Sequence, residues 1–165
     1  MEIQVLPATS QHLPGILQIV NHAILYTTAI YDYAPRLPKD METWFDDKQA
    51  AGWPVIVALL NGEVAGYGSY GTFRTKEGYK FTVEHSVYVA DGHTGEGIGH
   101  LLLAELIGLA KAQGMHTMIG CIDADNAGSI AFHKKFGFKE SGVLRESGFK
   151  FNRWLDLLFM QLMLK

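Results

Sequence analysis

The sequence predicts an α/β fold with strands and helices in the order β-α-α-β-β-β-α-β-α-β-β. Three observations carry this expectation. Some segments repeat apolar residues with helical spacing, while others alternate them with polar ones. The pair Asn61-Gly62, a preferred two-residue hairpin turn, joins two strand-like runs. A glycine cluster, Gly92, Gly95, Gly97 and Gly99, lies between a long alternating run and a helical one. The 165 residues fit one domain, 1–165, with a sizeable core and one site.

Ile3, Val5 and Pro7 alternate with polar neighbours as a first strand, and Ser10 can cap a helix carrying Leu13, Ile16, Leu17, Val20 and Ile24. Residues 26–38 read as a loop, after which Pro38 and Asp40 open a second helix through Trp44 and Phe45. Residues 55–60 and 63–70 form the hairpin around Asn61-Gly62. The β-prone run 79–90 predicts a long strand. Leu101, Leu102, Leu106, Leu109 and Ala110 then mark a helix ending at Gly114, followed by a strand at 115–122. A short helix at 129–135, stopped by Gly137, precedes two closing strands at 138–144 and 154–164.

The composition narrows the function. With 48% hydrophobic and 19% charged residues, the chain is globular rather than disordered. Its net charge of -3 and scattered basic residues lack the positive stripe that nucleic-acid backbones require, so no nucleic-acid partner is expected. The single cysteine, Cys121, has no internal disulfide partner and reads as a small core residue in a reducing compartment. Residues 1–7 lack a signal-peptide pattern, and no apolar run approaches the ~20 residues of a membrane span, so a cytoplasmic protein without a membrane partner is expected. No His-Glu-x-x-His spacing points to a metal site, and His12, His93, His100 and His116 read as structural.

The run Gly95-Glu96-Gly97-Ile98-Gly99, between a strand and a helix, suits a pyrophosphate, because glycines let backbone N–H groups turn inward and a helix N-terminus adds positive potential. Taken alone it reads more readily as a tight turn. It follows the fourth strand rather than the first, unlike a dinucleotide-binding loop, and no Gly-Lys-Ser/Thr follows it.

In combination, the motifs are specific. Val87-Tyr88-Val89, the glycine loop with Leu101-Leu102, Asn126, and the run from Ala131 through Phe132, His133 and Phe136 to Gly137-Phe138 resemble the GNAT N-acetyltransferase superfamily over essentially the whole chain. Val20-Asn21-His22, the stretch Thr82-Val83-Glu84-His85-Ser86, and Gly148-Phe149-Lys150 leading to Trp154 and Asp156 are similar to its phosphinothricin and methionine sulfoximine acetyltransferase group.

The resemblance implies the acyl-CoA N-acyltransferase (GNAT) fold, a mixed, splayed sheet flanked by helices with acetyl-CoA wedged between the fourth and fifth strands. It implies acetyl transfer to the amine of a small amino acid or analogue, and a homodimer. By the same resemblance Val87, Tyr88 and Val89 pair with the pantetheine arm, and Thr94, Gly95, Glu96, Gly97, Ile98 and Gly99 surround the pyrophosphate. Asn126 contacts the cofactor near the splay. Thr94 stands where the family usually has Arg or Gln, and Glu96 sets a carboxylate beside an anion site.

Acetyl transfer needs a neutral amine, so a proton must be taken. Glu84 matches the group's carboxylate and is the candidate base, directly or through water. His133 stands where many relatives have a tyrosine that protonates the leaving thiolate, which implies an acid or a substrate ligand. Alternation puts Thr82, Glu84, Ser86 and Tyr88 on one strand face and Val83, His85, Val87 and Val89 on the other. Arg74 can bind a substrate carboxylate through two parallel bonds, with Lys76 as a second cation; either is equally readable as a solvated loop charge. Tyr31 and Tyr79 are candidate pocket walls, and Thr75, His85 and Ser86 complete the candidate substrate-binding set. Direct transfer is expected, with Cys121 away from these groups. An enzyme for a protein N-terminus or a polyamine, and a non-catalytic acyl-CoA-binding module, remain as other readings.

Overall fold

The computed structural model describes residues 2–165; Met1, the start of the stretch read for a signal pattern, lies outside the described residues. The first alternating run forms β1 (Ile3–Pro7), and after a 3-10 turn at Ser10–His12 comes α1 (Leu13–Tyr26). Ser10 does not cap that helix. It lies inside the turn, whose N-cap is Thr9, and Pro14 occupies the first turn of α1, where a missing N–H costs nothing. Pro38 likewise opens α2 (Pro38–Ala51), where the Asp40 carboxylate accepts the Leu37 N–H at 2.7 Å.

β2 (Val55–Leu60) and β3 (Glu63–Thr72) form the expected hairpin, with Asn61 and Gly62 at φ of 51° and 83°. β4 (Thr82–Val89) is shorter than its alternation predicts. Glu77–Tyr79 coil into a 3-10 turn closed by the Tyr79 N–H donating to the Lys76 carbonyl at 3.0 Å, which takes Tyr79 out of the strand. α3 (Ile98–Ala112), β5 (Thr117–Asp123) and α4 (Ala127–Lys135) follow as expected. β6 (Lys139–Lys150) runs on past the expected end at Leu144 before β7 (Arg153–Met163). The turn between them is Phe151-Asn152, both left-handed at φ of 54° and 58°, and its phenylalanine gives no turn signal in the sequence.

The seven strands form one sheet in the order β1-β2-β3-β4-β5-β7-β6. Every neighbouring pair is antiparallel except β4 and β5, which run parallel. Their pairing covers Thr82↔Thr117, Val83↔Met118 and Glu84↔Ile119, and then the two strands part. Both faces of the sheet are packed. Leu102, Leu103 and Leu106 of α3 bury against Ala58, Met118 and Met160, while Ile16, Val20, Ile24 and Met41 of α1 and α2 bury against Val57 and Tyr67. Each fully buried aliphatic side chain stabilises this arrangement by roughly 1.5–3 kcal/mol. Among the described residues no helix is long and apolar enough to cross a membrane.

Candidate active site

The split creates the first part of the site. Beyond Glu84, β4 still pairs with β3 from Ser86↔Ser69 to Val89↔Gly66, but no longer with β5. Alternate backbone groups of residues 86–89 therefore face an open wedge of about 170 Å³, lined by Ser86, Val87 and Tyr88 from β4, Gly120, Cys121 and Asp123 from β5, and Asn126, Ser129 and His133 around α4. Asn126 caps α4 by accepting the Ser129 N–H at 3.1 Å through its side-chain oxygen, which leaves its amide NH2 for the wedge.

At the far end of β4 the chain reaches α3 through the exposed loop holding Thr94, Gly95 and Glu96. Gly97, at φ 83°, is the N-cap of α3 and supplies no side-chain cap, so the first-turn N–H groups from Ile98 and Gly99 onward have no partner within the helix. Such an end attracts anions. The Glu96 carboxylate is drawn to the His93 ring at 3.0 Å. Extended-arm pairing along β4, an amide at Asn126 and free amides at α3 together fit a pantetheine-pyrophosphate ligand.

A second cavity, about 520 Å³, opens on the other side of Glu84 and is lined by Thr28, Ala29, Tyr31, Phe73, Arg74, Glu84, Cys121, Asp123, Leu157 and Phe159. It brings Arg74, Glu84 and Tyr31 together. The Arg74 guanidinium lies 5.4 Å from the Phe73 ring centre. Among the described residues, the Tyr31 hydroxyl is a buried polar atom with no hydrogen-bond partner in the fold. Burial, and then the charge of Asp123, push its pKa up, so it remains a donor. Thr75 and Lys76 are exposed on the connection after Arg74, outside these walls. Tyr79 is 41% exposed and meets Phe73 edge-on instead of lining the cavity. Ser86 and Glu84 share a neighbouring cavity with Lys48 and Trp44.

Two residues missed in the sequence matter here. Lys48 of α2 donates to the Tyr70 carbonyl at 2.9 Å, and burial brings its pKa down to about 8 although the Glu84 carboxylate pulls it upward. Asp123, 8% exposed, accepts a hydrogen bond from Thr28. Nothing local in the sequence marks either. Cys121 corrects an expectation: it lies not apart from the site but beside Glu84, half-buried in both cavities. Burial and the Glu84 carboxylate push its thiol up to about 12, so it is a poor source of thiolate nucleophile.

His85 and His133 meet on the opposite face of β4, 6% and 7% exposed, with their Nε2 atoms 3.0 Å apart. The Nδ1 of His85 lies 3.1 Å from the Ile119 carbonyl, and the Nδ1 of His133 lies 2.7 Å from the Ser129 carbonyl. Both nitrogens of His133 are thus engaged within the fold. Phe138 packs 5.2 Å from each ring centre. A Cβ on Gly120 would come within 2.9 Å of His85 Cε1, so this strand position accommodates the pair by having no side chain. His85 therefore lies apart from the Arg74 cavity, as strand alternation requires.

The remaining motifs hold the loop over the site. Asn21 brackets the Arg36 backbone, accepting its N–H at 2.8 Å and donating to its carbonyl at 3.1 Å. Gly148 leaves room for the Tyr31 ring, which a Cβ would meet at 2.5 Å. Lys150, 3% exposed, donates to the Thr27 carbonyl at 2.7 Å and also to that of Ile30.

A sheet split beside a helix N-terminus, with a carboxylate and a guanidinium beyond the split, fits an acyl-CoA-dependent transferase acting on an amine. The profile of the acetyltransferase (GNAT) family matches residues 19–138, and the chain belongs to that family. Members use acetyl-CoA as acetyl donor. A relative in Pseudomonas aeruginosa, the L-methionine sulfoximine/L-methionine sulfone acetyltransferase, is 50% identical over 151 residues, covering 91% of this chain and 88% of the relative. Among solved structures, a phosphinothricin acetyltransferase from Sinorhizobium meliloti in complex with AcCoA superimposes with a TM-score of 0.95 at 36% identity, covering 99% of this chain and 89% of that one. A ribosomal-protein-alanine N-acetyltransferase from Brucella melitensis superimposes with a TM-score of 0.96 at 45% identity, covering 97% and 99%.

Proposed function

We propose that this acetyltransferase transfers the acetyl group of acetyl-CoA directly to the amine of a free amino acid or analogue of the methionine sulfoximine, methionine sulfone or phosphinothricin type. The observation that carries this reading is the single cavity that joins Arg74, Glu84 and the unpartnered Tyr31 hydroxyl next to the split. Arg74 is suited to a substrate carboxylate, which selects amino acids over simple amines. Glu84, at the last rung before the strands part, takes a proton from the ammonium, directly or through water, so that the amine can attack the thioester carbonyl. Val87, Tyr88 and Val89 receive the pantetheine arm, the loop from Thr94 to Gly99 the pyrophosphate, and Asn126 the donor near the split. The high thiol pKa of Cys121 favours transfer without an acyl-cysteine.

We further propose one catalytic domain over residues 1–165, acting in the cytoplasm as a homodimer on small molecules and not on nucleic acid or membrane. Support for the dimer is the exposed apolar surface on and around β6, where Val143, Leu144, Phe149, Phe151 and Trp154 are 40–62% exposed.

The second reading, acetylation of a protein N-terminus, is favoured by the name of the Brucella relative. Thiol release from acetyl-CoA decides between them, measured with methionine sulfoximine, methionine sulfone, phosphinothricin, ordinary amino acids, polyamines and a peptide beginning with alanine. Turnover with the sulfur or phosphorus amino acids is expected. Turnover confined to the peptide or polyamines overturns the proposal, and binding without turnover of any amine favours a non-catalytic module.

A further inference from the structure

We propose that His85 is a positioning residue that makes itself and His133 a single proton-holding pair at the split, carrying one proton between the two Nε2 atoms. The inference rests on the acetyl-transfer reading for its use, but its geometry stands apart from that reading. A backbone carbonyl only accepts, so the contacts at 3.1 Å to Ile119 and 2.7 Å to Ser129 require a proton on each Nδ1. Two neutral rings so fixed would point two lone pairs at each other across 3.0 Å. Moving a proton to either Nε2 without adding one would turn a bare Nδ1 against a carbonyl oxygen. Three protons on the four ring nitrogens satisfy all three contacts, and that is one proton more than two neutral imidazoles hold.

A second added proton is opposed. Burial, and then the charge on His133, push the ionisation of His85 down to about 3. Burial lowers that of His133 as well and so opposes the first proton too, and it is the carbonyl contacts of Ile119 and Ser129 that act to raise both. The pair therefore titrates as a unit that takes up one proton. The other titratable groups lining its cavity are Cys121 and Asp123 on β5 and Tyr88 on β4. On α4, Lys134 is paired with Glu140 at 3.1 Å and Lys135 is exposed, and from α3 His100 stacks on Phe136, 4.8 Å away.

The pair lines the same wedge that would receive the thioester. As the amine nitrogen bonds to the carbonyl carbon and the C–S bond breaks, the sulfur leaves with the electron pair. The shared proton passes to that sulfur to give the thiol. The pair regains a proton from the second ammonium hydrogen, so one proton is released to solvent per turnover through Glu84.

Nitrogen NMR of histidine-labelled wild-type protein between about pH 4 and 9 tests the pair directly. The expected result is Nδ1 protonation of both rings and one common titration worth a single proton. Two independent titrations, or a ring protonated only on Nε2 throughout, overturn the proposal. His85→Gln keeps a donor near the His133 Nε2 but cannot hold a shared proton. It should lower kcat about 10²-fold, leave the KM for acetyl-CoA within about threefold, and remove one ionisation from the kcat–pH profile. An unchanged profile and turnover would reduce the pair to packing. If the variant fails to fold, the wild-type spectra decide alone. Absence of turnover with every amine would remove the acetyl-transfer reading while leaving the spectral test of the pair intact.

Discussion

Replacing Glu84 by Gln removes a negative charge and a base while keeping size and polarity. The side chain sits at the Glu84↔Ile119 rung, faces the Arg74 cavity on one side and the Lys48 cavity on the other, and neighbours Cys121. A positioned base contributes ~10²- to 10⁴-fold, roughly 3 to 5 kcal/mol of barrier, so turnover should fall by that factor with acetyl-CoA affinity unchanged. The defect should shrink as pH rises, because more of the substrate amine is then already neutral. Lys48 sharpens the test: without the carboxylate that draws its pKa upward, it should lose its proton below its wild-type value of about 8. The assay is a pair of pH–rate profiles for wild type and variant, with calorimetric titration of acetyl-CoA alongside. Wild-type turnover by Glu84→Gln at neutral pH would refute the assignment, leaving water or another group as the base.

Arg74→Ala should impair amino-acid substrates far more than the same compounds with the carboxylate amidated, since only the former lose a charge-assisted pair; equal losses in kcat/KM would remove Arg74 from substrate recognition. Lys48→Met should change how stability depends on pH. The folded pKa of Lys48, about 8, lies below its ordinary 10.5, so between those values the unfolded chain binds the extra proton and this residue's contribution to stability rises with pH. Urea unfolding of both proteins across that window should show a steeper rise for wild type than for the variant, and parallel curves would contradict the assignment.

The sequence by itself determined the element order and the presence of a split-sheet donor site. The element order rests on local rules, and the split sheet with its donor site on the resemblance of the combined motifs to the GNAT superfamily. The period of apolar residues separates strand from helix, Asn61-Gly62 requires a hairpin, and glycines before Ile98 leave a helix end uncapped. The opposite facing of Glu84 and His85 follows from strand alternation alone. Where local rules failed, a competing interaction prevailed: Tyr79 was lost to a 3-10 turn, and the Phe151-Asn152 turn carried no turn-forming signature at its first residue. Only the tertiary structure decided which side chains share a volume. Lys48 comes from α2, Asp123 and Cys121 from β5, and Tyr31 from a loop pinned by Lys150, and no spacing in the sequence measures the distance between them. The partner of His133 was hidden for the same reason. His85 lies 48 residues away, and the two meet because Gly120, on a strand between them in the chain, has no side chain in the space their rings fill.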